Sequence, residues 1–275
     1  MWSVRLFVLA FALGGCAGHA LKVEPMPPQR TFALPSKALQ EERRINVYTP
    51  PGYDAAKGVR YPVLYMPDGG EQEDFPHVAT AVDTAIRAGE MRPVILVGIE
   101  NTERRRDMTG PTQVESDKEI APRVGGSAAF RAFLRDELMP HVRREYRVTD
   151  ETAIIGESAA GLFIMETFFL QPEMFGTFIA LSPSIWWNND EWVRRAEERL
   201  KAMPDLKATL YLASAGDDVP EQAARLAEVL RANAPTGLRW KYEPRPDLLH
   251  ANIYRSLEAK VLREAFAPAS TKAVP

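Results

Sequence analysis

Apolar residues along this chain collect into two kinds of run. Short unbroken ones, at Val63–Met66, Val94–Ile99, Ala153–Ile155, Phe178–Leu181 and Thr209–Ala213, have the length and lack of alternation of strands buried on both faces. Arg44–Thr49 and Leu238–Glu243 predict two further strands. Longer stretches with apolar residues three and four apart predict helices over Ser127–Arg144, Gly161–Leu170, Asp190–Met203, Pro220–Ala234 and Ala251–Ala265. In the first of these, Phe130, Phe133, Leu134, Leu138 and Val142 share one face, which makes it a packing helix. Strands alternating with helices imply an α/β fold, a mostly parallel central sheet with helices on both faces.

The segment 21–40, with Pro25, Pro27, Pro28 and Pro35, predicts an extended leader. The folded domain is expected over 41–267, with a frayed tail at 268–275. Residues 1–20 place Arg5 ahead of the apolar stretch Leu6–Leu13, followed by small residues, the layout of an export signal. That stretch is too short to span a bilayer. Leu13-Gly14-Gly15-Cys16 is similar to a bacterial lipobox ending at Cys16, while Gly18-His19-Ala20 is a competing, ordinary cleavage site. The expected location is therefore the periplasm, with a lipid anchor through Cys16 if the lipobox is used. Cys16 is the only cysteine, so the mature domain has no disulfide and relies on its core.

At 275 residues, 45% of them hydrophobic, the chain can bury a large core. A formal net charge of -3 is no footprint for a nucleic-acid partner. There is no H-E-x-x-H, no Cys/His cluster, no P-loop and no G-x-G-x-x-G opening a helix, so neither a metal nor a cofactor is expected.

The chemistry concentrates at Gly156-Glu157-Ser158-Ala159-Ala160-Gly161, where an apolar strand runs into an apolar helix. A serine on such a bend is held clear of the sheet, with the next backbone N–H and the helix N-terminus aimed at the same point. Ala160 stands where G-x-S-x-G has its second glycine, and Gly161 follows one place later. A serine hydroxyl needs a neutral imidazole to take its proton. Of four histidines, only His250 follows the serine at the start of a helix beyond a strand, as the order nucleophile, acid, histidine requires. His77 and His141 do not fit. The acid is expected after Thr209–Ala213, where Asp218 is preferred to Asp217 and Glu221 is more remote; a Ser-His dyad is the alternative. Backbone N–H groups serve best for an oxyanion because they are fixed before charge develops. Gly70, or failing that Gly69, and Ala159 are the expected donors.

Further segments, VYTPPGYD, YPVLYMPDGG, PVILVGIENTERRRDMTGP, GESAAGLF, ALSPSIWW and LLHANIYRSLEAKVLREAF, run in order from Val47 to Phe266. With them the chain resembles the esterase family of α/β-hydrolases that includes enterochelin esterase and periplasmic salmochelin hydrolase. The resemblance implies an α/β-hydrolase fold, Ser158 as nucleophile, His250 as base, and an acid loop that varies among relatives. Members that open siderophore trilactones bind anionic aromatic catecholates, for which Arg104, Arg106, Trp186 and Trp187 are of suitable type. Alternatively, Asp107 holds Arg106 in a structural pair and the tryptophans pack under a lid. The leading expectation is an exported serine esterase acting on a small-molecule ester through an acyl-enzyme. The alternatives are an acyltransferase on the same fold and a non-catalytic, membrane-tethered binding protein.

Overall fold

The computed structural model describes residues 26–268, so the export signal and Cys16 lie outside the described residues, as does the tail beyond 268. Eight strands form one sheet in the order β1-β2-β4-β3-β5-β6-β7-β8. They are β1 (Gln29–Ser36), β2 (Glu41–Tyr48), β3 (Tyr61–Pro67), β4 (Ile95–Ile99), β5 (Val148–Glu157), β6 (Thr177–Leu181), β7 (Thr209–Ala215) and β8 (Arg239–Arg245). Only β1 with β2 and β2 with β4 pair antiparallel; every other neighbour is parallel.

The central strands are apolar on both faces because both faces are covered. Val63 and Tyr65 of β3, Ile154 of β5, Phe178 of β6 and Leu210 of β7 enter one core; Leu64, Met66, Ala153, Ile155, Ile179 and Tyr211 enter the other. On the second face lie α1 (Phe75–Arg87) and α9 (His250–Ala265). The first carries α4 (Ser127–Phe133), α5 (Met139–Glu145), α6 (Ser158–Leu170), α7 (Trp187–Lys201) and α8 (Pro220–Asn233). Ser158 to Phe169 of α6 is buried throughout, and a helix apolar all round has to be. Leu162, Phe163, Ile164 and Phe168 are fully buried, each contributing about 1.5–3 kcal/mol. Two short helices, α2 (Arg104–Met108) and α3 (Glu115–Lys118), lie between β4 and α4.

Three elements depart from the sequence pattern. The leader expected at 21–40 contains β1, which pairs along its length with β2, so the fold begins inside it. The helix expected over Ser127–Arg144 is continuous only through a π-turn, Leu134–Leu138. Pro140, in the first turn of α5, has no N–H to give and its ring crowds the carbonyl four residues back, which the wider turn accommodates. At the start of α7, Asn188, Asn189 and Asp190 are left-handed, with φ of 49, 54 and 57°. Asn and Asp tolerate that region better than other residues with a Cβ.

From β3 the chain steps to β4 on one side and later, through β5, to the other. The carboxyl ends of β3 and β5 therefore flank the point where the winding reverses, the place where open α/β sheets hold their ligands. The turn after β3 is pressed onto β4. A Cβ on Gly69 would lie 2.3 Å from Gly98 Cα and from Ile99 N, both backbone atoms. Gly69→Ala is therefore expected to cost about 3 kcal/mol, read as a lower urea midpoint with an unchanged slope.

Candidate active site

β5 delivers Glu157 to the rim of the sheet and the chain turns at once into α6, with Ser158 at φ 59°. A left-handed serine costs about 1 kcal/mol or more, and the packing around it holds it there. A Cβ at Gly156 would meet Ala160 Cβ at 2.7 Å, and one at Gly161 would meet Pro183 Cα at 2.9 Å. The alanine that replaces the second motif glycine thus fills the space Gly156 leaves, while Gly161 lets the helix approach the loop after β6.

The structure brings Ser158, His250 and Asp218 together. The Ser158 hydroxyl lies 3.1 Å from His250 Nε2, and His250 Nδ1 lies 2.8 Å from Asp218 Oδ2. With Nδ1–H donating to the carboxylate, Nε2 presents its lone pair to the hydroxyl. Asp217, the alternative acid, is engaged elsewhere, its Oδ1 accepting the His250 backbone N–H at 2.8 Å. The N-cap residue of α9 is Leu249, whose side chain has no oxygen to satisfy the first-turn N–H groups, so a carboxylate from another loop does so.

Two serines of the ALSPSIWW segment, given no role by the sequence, belong to the same network. Ser182, left-handed at φ 40° after β6, donates to Asp218 Oδ2 at 3.0 Å and accepts the Ala215 N–H at 3.2 Å. Ser184 places its hydroxyl 3.5 Å from that of Ser158, and its N–H donates to the Ser158 carbonyl at 3.0 Å. Besides that segment, the sequence signal for Ser182 is its place just past an apolar strand, at the same sheet edge as Ser158.

The hydrogen bond to Asp218 raises the His250 pKa above the usual imidazole value, against the lowering by burial; Glu157 also raises it. Burial pushes the Glu157 carboxyl up to about 7, although His250 and Arg104 favour its ionised form.

The other expected residues divide. The Ala159 N–H sits in the first turn of α6, where backbone donors have no partner inside the helix. The Gly70 N–H is taken by Glu73 Oε2 at 2.7 Å, and that of Gly69 by the Ile99 carbonyl at 2.9 Å. Neither glycine offers an uncommitted donor in this structure: a carboxylate three residues on folds back over Gly70, and Gly69 is bound to the end of β4.

Arg104 forms a two-pronged pair with Asp68 at 2.7 and 2.8 Å. Arg106 is held by Glu41 and Asp107, beside the buried Arg43, so it serves the packing of α2 on β2. Trp187 is 1% exposed and donates to the Gly110 carbonyl at 2.9 Å. Neither Arg106 nor Trp187 is available to a substrate. Trp186 is only partly buried against the core. Arg105 is the arginine of the run with no ion pair among the described residues, its guanidinium pKa lowered by burial and by Arg104.

The family described as "Putative esterase" matches residues 36–240. Ferri-bacillibactin esterase BesA of Bacillus subtilis is 27% identical over 232 residues, 76% of this chain and 80% of that protein. Siderophore enterobactin esterase of Emericella nidulans is 31% identical over 155 residues, 49% of this chain and 50% of that one. Among solved structures, an IroE-like serine hydrolase from Shewanella oneidensis aligns with a TM-score of 0.79 at 27% identity, over 87% of this chain and 80% of that one. The chain belongs to this esterase family, has the α/β-hydrolase fold, and is a serine carboxylic-ester hydrolase.

Proposed function

We propose that the protein is an exported esterase that opens siderophore-type esters through an acyl-enzyme on Ser158. The observation that carries this reading is the hydroxyl–imidazole–carboxylate line at 3.1 and 2.8 Å, with the serine on a left-handed turn at a helix N-terminus. His250 takes the Ser158 proton as Oγ bonds to the ester carbonyl carbon. The Ala159 N–H and the α6 N-terminus meet the oxyanion. Collapse expels the alcohol, which collects the proton from Nε2. Water then repeats the sequence and frees the acid.

Substrate choice rests on two supports. The named relatives act on ferri-bacillibactin and enterobactin. Arg105, without an ion-pair partner among the described residues, and the partly buried Trp186 are of the types that would meet an anionic ring. Export to the periplasm, with or without a lipid on Cys16, rests on residues 1–20 alone; among the described residues no helix is long and apolar enough to cross a membrane.

The deciding experiment offers purified protein a cyclic catecholate trilactone, acetyl and feruloyl sugars and a neutral aryl ester, with glycerol present and products read by mass spectrometry. The expected result is ring-opened catecholate acid carrying oxygen from water. Arg105→Ala should raise KM for the anionic ester about tenfold, the scale of one charge-assisted hydrogen bond, and by less for the neutral one. A new glycerol ester in place of free acid would make the protein an acyltransferase. Failure to label Ser158 with a fluorophosphonate would leave the binding-protein reading.

A further inference from the structure

His250 has a carboxylate at each ring nitrogen. Asp218 takes Nδ1, and Glu157 Oε1 lies 3.1 Å from Nε2, the same separation as the Ser158 hydroxyl. Glu157 precedes the nucleophile and ends β5, so the turn that presents the serine fixes this carboxyl beside it; its side chain is 15% exposed. A neutral imidazole lone pair and an ionised carboxylate repel each other at such a distance. A proton between Glu157 and Nε2, on one or the other, relieves that repulsion.

The groups facing Glu157 set this balance. His250 comes from α9, Arg104 from α2, and Asp68 and Asp74 from the turn between β3 and α1. Arg104 is already paired with Asp68. The charge on Glu157 is thus favoured mainly by His250 itself and opposed by burial and by two other carboxylates.

We propose that Glu157 is a second carboxylate partner of the base, holding the Nε2 proton of His250 between its capture from Ser158 and its delivery to the leaving alcohol. The proposal rests on the Ser158–His250–Asp218 reading above. In acylation the Oγ–H bond breaks, Nε2–H forms and Oγ bonds to the carbonyl carbon. The imidazolium N–H then donates to Glu157 Oε1 until the carbon–oxygen bond of the ester breaks and the departing oxygen takes the proton. Deacylation runs the same exchange with water, and the proton returns to Ser158. Glu157 ends each cycle unchanged. In the free enzyme the same contact has a cost: a proton held between Glu157 and Nε2 blocks the base, so Glu157 places the acid limb of activity at higher pH.

Without the Glu157 charge the imidazolium loses its proton more easily, so the acid limb of kcat/KM moves down in pH, while plateau kcat falls because the imidazolium lacks its partner. Glu157→Gln assayed on a neutral aryl ester should move the limb down by about one pH unit or more and lower plateau kcat about tenfold. Glu157→Asp should restore part of the limb. A limb that stays in place in a folded Glu157→Gln protein overturns the proposal, since a merely structural role would not move it. Should that variant not fold, NMR titration of the His250 ring in the otherwise intact protein decides: two coupled steps support the shared proton, and one simple step refutes it. Ser158→Ala or His250→Ala retaining activity would sink the underlying reading. Loss of activity in those variants with an unmoved limb in Glu157→Gln would sink this proposal alone.

Discussion

Ser158→Ala is expected to lower kcat on a short aryl ester by about a millionfold, and His250→Ala by a similar factor. The hydroxyl is the group that must bond to carbon, and the imidazole 3.1 Å away is positioned to take its proton. Because the two act as one unit, the double variant should be no worse than either single one. Binding and the oxyanion donors survive in all three, so a residual rate about a thousandfold or more above water is expected. Steady-state kinetics and intact-mass detection of fluorophosphonate labelling check this. Near-normal turnover in Ser158→Ala, or a label on another residue, would remove the nucleophile assignment.

Asp218→Asn is expected to lower kcat by about 10³–10⁴-fold, the scale of losing the carboxylate that fixes the histidine tautomer. The amide that replaces it can donate to Nδ1, which favours the tautomer with the proton on Nε2, facing the serine. Ser182 would still hold the substituted side chain in place through its hydroxyl, so geometry should survive while the proton sits on the wrong nitrogen. Asp217→Asn is the contrast. It keeps an oxygen for the His250 N–H and loses only the charge at the helix N-terminus, with about 0.5 kcal/mol lost from stability and a much smaller effect on kcat. Equal kinetic losses in the two variants, or little loss in Asp218→Asn, would return the acid to Asp217 or leave a dyad.

Much of the fold was legible because buried parallel strands are nearly uniform in composition. Val63–Met66 and Phe178–Leu181 could hardly be anything else, and their ends predicted where loops would gather. The order of serine, aspartate and histidine was legible for the same reason, since sheet topology converts chain order into position. β1 was not. Its residues, Gln29 to Ser36, run three polar then three apolar with a proline near the end, so they lack the alternation of a half-buried strand, and such an edge strand gains its structure from pairing with β2. Side-chain partners across the fold left no local trace either. Nothing near Arg106 in sequence reveals Glu41, and nothing around Trp187 announces the Gly110 carbonyl. Gly70 looked open because glycine often is, yet Glu73 reaches back to its N–H. Glu157 lay in plain view inside the motif, but only coordinates could reveal that it faces the base and not the solvent.

Two neighbouring aspartates grip one histidine, the first by its main chain and the second by its ring. Backbone and imidazole are therefore fastened to a single hairpin of chain and must travel as one rigid piece. Any displacement of that hairpin alters the gap to the serine while leaving the ring's own carboxylate partner attached. Such a coupling works as a throttle: remodelling the connection after β7 would change how far the base reaches, and so the speed of turnover, and would shift its affinity for protons only through the distance to Glu157, the neighbour of the serine.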